Sequence, residues 1–231
     1  RYGPAGLPPD TIDITLHGSA GQSFGAVLAP GVTLRLFGDA NDYVGKSLCG
    51  GTVAVYPLPS AAFDPKDNTV AGNVVAYGAT SGELHIRGRV GERFGVRCSG
   101  ATIVAEGCGD HALEYMTGGE AMILGSTGRN VAAGMSGGVA YLLDFDRSLL
   151  NPQIVDEVEV RGLTDAEGVR VVELLQRHEA LTGSEVARKI LAYLPSSLAR
   201  FTRIEPKQYA SVQEILEQAK ADGTDTEGAK V

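Results

Sequence analysis

Asp110-His111-x-x-Glu114 brings two carboxylates and an imidazole together in one short stretch. Such side chains can hold a metal ion or exchange protons as general acid and base, but only if they converge. Glycines flank this stretch, so a helix with one ligating face is not expected. Asp110 and Glu114 also fall at positions that hold glycine in other copies of a repeat. Polar contacts at a chain corner, or an interdomain hydrogen bond, are the expected role. Gly125-Ser-Thr-Gly128-Arg-Asn could turn backbone N–H groups toward an anion. It lacks the G-K-[ST] ending of a P-loop, and it is no G-x-G-x-x-G opening a helix. Cys49, Cys98 and Cys108 are odd in number and show no C-x-x-C spacing. They read as structural thiols of a reducing, cytoplasmic compartment. Cys49 and Cys98 lie a whole coil too far apart to pair. His17 has no acid/base companion. His85 is expected on the outward side of a strand, at the surface or an interface. His178, between Arg177 and Glu179 on a helix, is expected as a surface or docking contact. Arg87 and Glu106 are expected to neighbour each other as a salt bridge. No Ser/His/Asp or Cys/His arrangement emerges. The sequence thus points to no catalytic, cofactor-binding or metal-ligating residue.

The glycines call for another explanation. Most of the chain's 31 glycines lie between Gly18 and Gly138. Gly88, Gly91 and Gly95 spell G-x-x-G-x-x-x-G, followed by Gly100 and then by Gly107, where a new copy starts. Gly18, Gly21, Gly25 and Gly31 repeat the pattern. Gly38, Gly45 and Gly51 do so with Asn41 in second place, and Gly125, Gly128 and Gly138 with Ala132 in third. Two copies are worn: Thr69, Gly72, Ala76, Gly82, and Gly107, Asp110, Glu114, Gly119. The period is about nineteen residues, interrupted by one insertion over roughly 58–68. That is too short for a helical hairpin and suits one coil of a parallel β-helix. Glycine fits the corners, where φ is positive or neighbouring coils come close.

The segments after each second glycine support this reading. One alternate column is Leu34, Val53, Leu84, Ile103, Ala121, Ala140. The next is Leu36, Val55, Ile86, Ala105, Ile123, Leu142. Both are apolar throughout and should point inward, because a strand alternates faces. A ladder of small side chains, Ala29, Cys49, Thr80, Cys98, Thr117 and Ser136, is expected at a narrow corner. The outward columns are mixed. Phe37, Tyr56, Met122, Leu124, Tyr141 and Leu143 are too apolar for a solvated face, so other protein is expected to cover part of it.

These runs carry a resemblance. GSAGQSFGAVLAPGVTLRLFGDANDYVGKSLCGG, GATSGELHIRG, GERFGVRCSGATIVAEGCGDHALEYMTGG and GSTGRNVAAGMSGGVAYLLD resemble the C-terminal β-helix domain of the glutamate synthase large subunit. The likeness covers about residues 8–215. A subunit of formylmethanofuran dehydrogenase shares the repeat more loosely. The fold implied is all-β, a right-handed parallel β-helix of about six to seven coils with a C-terminal helical appendage. The parent enzyme implied converts glutamine and 2-oxoglutarate to two glutamates. Its amidotransferase domain releases ammonia, which reaches a synthase barrel holding FMN and an iron–sulfur cluster. None of those catalytic motifs lies in these 231 residues. The resemblance therefore implies a non-catalytic scaffolding domain. Its partners would be the remaining domains of the large subunit, with the small subunit a further candidate. The alternative is a stand-alone scaffold subunit of another redox complex, of the formylmethanofuran dehydrogenase type.

Bulk properties agree. A net charge of −8 argues against nucleic acid or anionic membrane as a partner. No apolar run is long enough to span a bilayer. The chain begins at Arg1 rather than Met, which reads as an excised domain or a processed piece. Residues 1–16 read as a proline-rich linker and first strand, 17–145 as the β-helix, and 146–231 as the helical appendage. The insertion PLPSAAFDPKDN is expected as a surface loop at a domain interface. Thr164-Asp-Ala-Glu167 is a capping box for a helix stopping near Gly183. Ser184 caps a second helix that Pro195 ends, FTRIEP is a short extended piece, and a third helix spans Tyr209 to Ala221. The last ten residues are expected to be disordered. The appendage is expected either to cap the last coil or to dock on a neighbouring domain.

Overall fold

The computed structural model of the chain describes Gly3, residues 6–58 and residues 60–221. The polar tail after Ala221 lies outside the described residues. The strands in chain order are β1 (Ile12–Ala20), β2 (Val32–Ala40), β3 (Cys49–Tyr56), β4 (Thr69–Ala71), β5 (Ser81–Ile86), β6 (Arg89–Val90), β7 (Ser99–Ala105), β8 (Thr117–Ile123) and β9 (Gly137–Leu143). Strands β1, β2, β3, β5, β7, β8 and β9 stack in that order, each parallel to the next. The short β4 and β6 continue a second wall from the end of β2. The result is a parallel β-helix of about seven turns.

The register reproduces both expected inward columns. Leu34 pairs with Val53, then Leu84, Ile103, Ala121 and Ala140 follow in line. From Val53 onward these side chains are fully buried. They form one apolar core with Phe94, Leu113 and Met116 from the corners. Each coil is too small to bury a core alone, and stacking closes it.

The corners hold three columns of left-handed residues, two positions apart. In the coil after β5 and β6 these are Arg93, Gly95 and Arg97; in the next, His111, Leu113 and Tyr115. All six have φ between 54° and 69°. Glycine takes half of the middle column, at Gly25, Gly45 and Gly95, and two places of the third, at Gly78 and Gly134. The other positions bear ordinary side chains, each at a backbone cost of about 1–2 kcal/mol. Hydrogen bonds between coils offset that cost. The N–H of Arg93 donates to Asp110 O at 2.8 Å and that of His111 to Arg129 O at 2.8 Å, while Gly95 donates the other way, to Val75 O at 2.9 Å. Glycine is needed at Gly95 for a second reason: a Cβ there would meet Ile103 Cδ1 at 2.7 Å.

Two expected alignments shift by one residue. The N–H of Gly109 donates to Gly91 O and that of Gly128 to Gly109 O, so Gly109 rather than Asp110 fills the glycine position. In the same coil Leu113 rather than Glu114 takes the left-handed position beside Gly95. The small-residue ladder also slips. Ala101, not Gly100, aligns with Gly119, which moves Ser99 into the ladder and turns Cys98 into the core.

The appendage comprises β10 (Val158–Arg161), α1 (Asp165–Thr182), α2 (Glu185–Ala192), β11 (Phe201–Pro206) and α3 (Lys207–Ala221). The capping box at Thr164 is formed, and Gly183 ends α1 in the left-handed conformation at φ 66°. FTRIEP is more than an extended piece. It is strand β11, which pairs antiparallel with β9 and places Ile204 beside Ala140, and β10 pairs beyond it. These strands close the C-terminal end of the solenoid. Helices α1 and α2 lie on the outer face of the sheet. Val171, Leu174, Leu175 and Ile190 pack on Val104, Met122, Leu124, Tyr141 and Leu143. The apolar outer face is therefore covered by this chain's own helices, which corrects the expectation of other protein there.

The N-terminal end is built differently. β1 pairs only with β2, and Ile12, Ile14 and Leu16 remain about 40% exposed. The insertion lies at the surface with a 3₁₀ turn at Pro65–Asp67 and an exposed Phe63.

Candidate functional site

The helical layer and the sheet enclose a row of ionisable side chains. His85 projects outward from β5, between Ala54 and Val104 of the adjacent strands. His178 projects inward from α1. Both rings are fully buried, which corrects the expected surface positions. Their Nδ1 atoms lie 3.3 Å apart and the rings stack at 23° with centroids 5.5 Å apart. One Nδ1–H donates to the other ring. His85 Nε2 faces Glu83 Oε2 at 3.8 Å, and His178 Nε2 faces Glu106 Oε1 at 3.6 Å. Neither Nε2 has a partner within hydrogen-bond reach. Arg177 Nε holds Glu83 at 2.8 Å. Glu106, 2% exposed, accepts a short hydrogen bond from the hydroxyl of Ser184, the residue that caps α2. The expected Arg87–Glu106 salt bridge is absent among the described ion pairs: Arg87 turns to Glu185 at 3.8 Å, and Glu106 turns inward.

Burial dominates at His85. It pushes His85 down to about 4, with Glu83 opposing. Glu83 is held down to about 2, first by its interaction with His85 and then by Arg177. The row touches two surface clefts. Glu106 lines a cleft of about 850 Å³ with Arg89, Lys189 and Arg200. Glu83 and Arg177 line another on the far side, against Gly51 and Thr102.

The other candidate residues have structural surroundings. Asp110 accepts from the backbone N–H of Arg129 at 3.0 Å and from its Nε at 2.9 Å. That backbone hydrogen bond, first, holds its carboxyl below the usual range. Asn73 does the same for Glu92 one coil earlier, and Asp42 for Asn73 before that. Asp110 is thus one rung of an Asx ladder. His111 sits in the left-handed corner column. Among the described residues no group of three or more His, Cys, Asp or Glu side chains is placed to hold a metal. In the Gly125–Asn130 loop the N–H groups of Gly128 and Arg129 already donate to the preceding coil, and Ser126 binds Arg89. All three cysteines are free. Cys98 and Cys108 are buried in the core, and burial raises the Cys108 thiol to about 12. His17 stacks on Phe37 at 4.8 Å, and Phe37 meets Tyr56 edge-on at 4.4 Å.

Sequence reasoning missed the histidine pair because its members lie 93 residues apart. One signal was present. His85 stands in a column beside Ala54, Val104, Met122 and Tyr141, all uncharged and mostly apolar, as befits a covered strand face.

Known proteins align with the whole of this architecture. The chain is 52% identical over 215 residues to a glutamate synthase [NADH] of Schizosaccharomyces pombe, covering 93% of this chain and 10% of that protein. It is 46% identical over 231 residues to the glutamate synthase [NADPH] large chain of Bacillus subtilis, covering 99% of this chain and 15% of that protein. It is 47% identical over 207 residues to ferredoxin-dependent glutamate synthase 2, chloroplastic, of Arabidopsis thaliana, covering 89% and 13%. The chain thus spans only 10% to 15% of the length of these relatives. Residues 1–207 match the family described as GXGXG motif, and with the repeat glycines at the corners of a parallel β-helix, the chain belongs to that family.

Proposed function

We propose that this chain is a non-catalytic scaffolding segment of a glutamate synthase large chain. Its three parts would be a lead-in over 1–16, the solenoid over 17–145 and the appendage over 146–231. The observation that carries this reading is the contrast between the solenoid's ends. The C-terminal end is capped by the antiparallel strands β11 and β10, whose Ile204 and Val158 are buried. The N-terminal end leaves β1 unpaired on one side, with Ile12, Ile14 and Leu16 exposed and the His17–Phe37 stack beside them. An unpaired apolar edge is a template for another segment of protein. The relatives carry most of their length outside the matched region, and that remainder is the proposed occupant.

The thiols of this chain do not fit an iron–sulfur cluster. Two of its three thiols are enclosed in the solenoid core and no three-ligand group is assembled among the described residues. The FMN and iron–sulfur cluster of such an enzyme belong to other domains in this reading. Three free thiols fit a reducing compartment such as the cytoplasm. Among the described residues no helix is long and apolar enough to cross a membrane.

Complementation in trans tests the scaffold role. A large chain truncated before this segment is mixed with it, complex formation is followed by light scattering, and glutamine-dependent glutamate formation is assayed. Binding with restored coupling supports the scaffold. Full activity of the truncated chain without binding overturns it.

A further inference from the structure

Glu83, His85, His178 and Glu106 form a row with three links, at 3.8, 3.3 and 3.6 Å. Only the central contact is within hydrogen-bond reach, and it needs one proton between the two Nδ1 atoms. Two neutral imidazoles carry one ring proton each. In the neutral pair the donating ring therefore keeps a bare Nε2 toward its carboxylate, while the other ring carries its proton on Nε2. One added proton makes a fully buried imidazolium whose Nε2–H lies beyond hydrogen-bond reach of the carboxylate. A second has no place in the row, because it would set two N–H donors head to head across 3.3 Å.

Every element around the pair contributes to its balance. β5 presents Glu83 and Arg87, and the end of β7 presents Glu106. α1 presents Arg177. α2 and its cap present Glu185 and Ser184. β3 presents Ala54, with the Tyr56 phenol beyond. Of these side-chain types only imidazole ordinarily titrates between about pH 5 and 8. At His85 the Glu83 carboxylate favours an added proton, but complete burial of the ring opposes it more strongly and holds it down to about 4. On either side the seam is apolar, Leu181 with Ala54 and Tyr56 on one flank and Leu174 with Val104 and Met122 on the other.

We propose that His85 and His178 form a proton-operated latch, closed while the pair is neutral, whose protonation releases the α1–α2 layer from the sheet while the solenoid stays folded. The closed seam would leave an added proton buried without a hydrogen-bond partner, whereas the open one takes a proton on each ring. Lowering the pH therefore favours opening, with a slope set by the difference in bound protons. Release would bare Val104, Met122 and Leu124, so the latch makes an apolar face available on acidification.

Amide hydrogen exchange in the full chain tests this, with rates corrected for the intrinsic effect of pH. Amides of Leu174 and Leu175 report α1, and those of Ala121 to Ile123 report the solenoid. Two free imidazoles of ordinary pKa about 6.5 give a rise of about 30-fold in the α1 opening constant from pH 6.5 to 5.5. The strand amides should not follow. His85→Phe leaves one imidazole and a rise of about fivefold. The double variant His85→Phe with His178→Leu should show none. An equal slope in the wild type and the double variant overturns the proposal, as does joint opening of α1 and β8. If the variants fail to fold, imidazole NMR of the wild type decides: the proposal expects both rings neutral at pH 6 while α1 amides are protected. A ring that titrates near pH 6.5 in the closed state overturns it.

Discussion

Arg170 on α1 reaches Glu120 on β8 through two nitrogens, Nη2 to Oε2 at 2.6 Å and Nε to Oε1 at 3.1 Å. The pair ties the helical layer to the sheet across 50 residues of sequence. Its side chains are 42% and 26% exposed, so solvent screens most of the Coulomb gain. A double-mutant cycle of Arg170→Ala and Glu120→Ala, read by urea unfolding, should give a coupling of about 1 kcal/mol or less, falling with added salt. A salt-independent coupling several times larger would show that this ion pair, and not the apolar seam, holds α1 in place.

The corner columns predict opposite effects for two neighbouring substitutions. Gly95→Ala places a Cβ against Ile103 and Leu113 at a φ of +69°. The expected loss is about 2–4 kcal/mol, from backbone strain and overpacking together. Arg97 is exposed with φ 57°, so Arg97→Gly relieves strain without opening a cavity. Its thermal midpoint should stay the same or rise by a few degrees. A loss as large as that of Gly95→Ala would mean that the side columns are not strained.

Thiol reactivity should separate into two classes. Cys49 is half-buried at the coil edge, whereas Cys98 and Cys108 are fully buried and their thiols are held protonated by burial. A soluble aromatic disulfide should label one thiol per chain at pH 8, and three only in denaturant. Prompt labelling of two or three thiols in the native chain would contradict the packing of the corners.

Ile204 on the closing strand is fully buried against the last coil. Ile204→Asp should cost at least about 3 kcal/mol, since a carboxylate would enter the core unpaired. It should also promote association by exposing the edge of β9. Val169→Asp, at a residue 62% exposed, is the matched control and should change neither midpoint nor aggregation.

The solenoid was legible because its signals are local and repeated. Both inward columns, the capping box at Thr164 and the stop at Gly183 could be read from spacing alone. The errors lay where coils differ in length by a residue. Gly100 and Asp110 mimic repeat positions that the hydrogen bonds assign to Ala101 and Gly109. Contacts between the appendage and the sheet were not legible. Nothing in the chain near His85 announces His178, and Glu106 looked like the partner of Arg87 until α2 presented Ser184. Such pairings are fixed by how α1 crosses the strands, which no periodicity encodes.

The two unlike ends also make the molecule a ruler with a fixed zero. Because β11 and β10 terminate the stack, coils cannot be added at that end, and distance is counted from it. Neighbouring rungs lie about 4.8 Å apart. Excising one complete period would therefore bring β1 about 4.8 Å closer to β11 while leaving both terminal surfaces unchanged. Any body resting on β1 would be displaced by that step, which turns the number of repeats into a setting for the separation of whatever the solenoid joins.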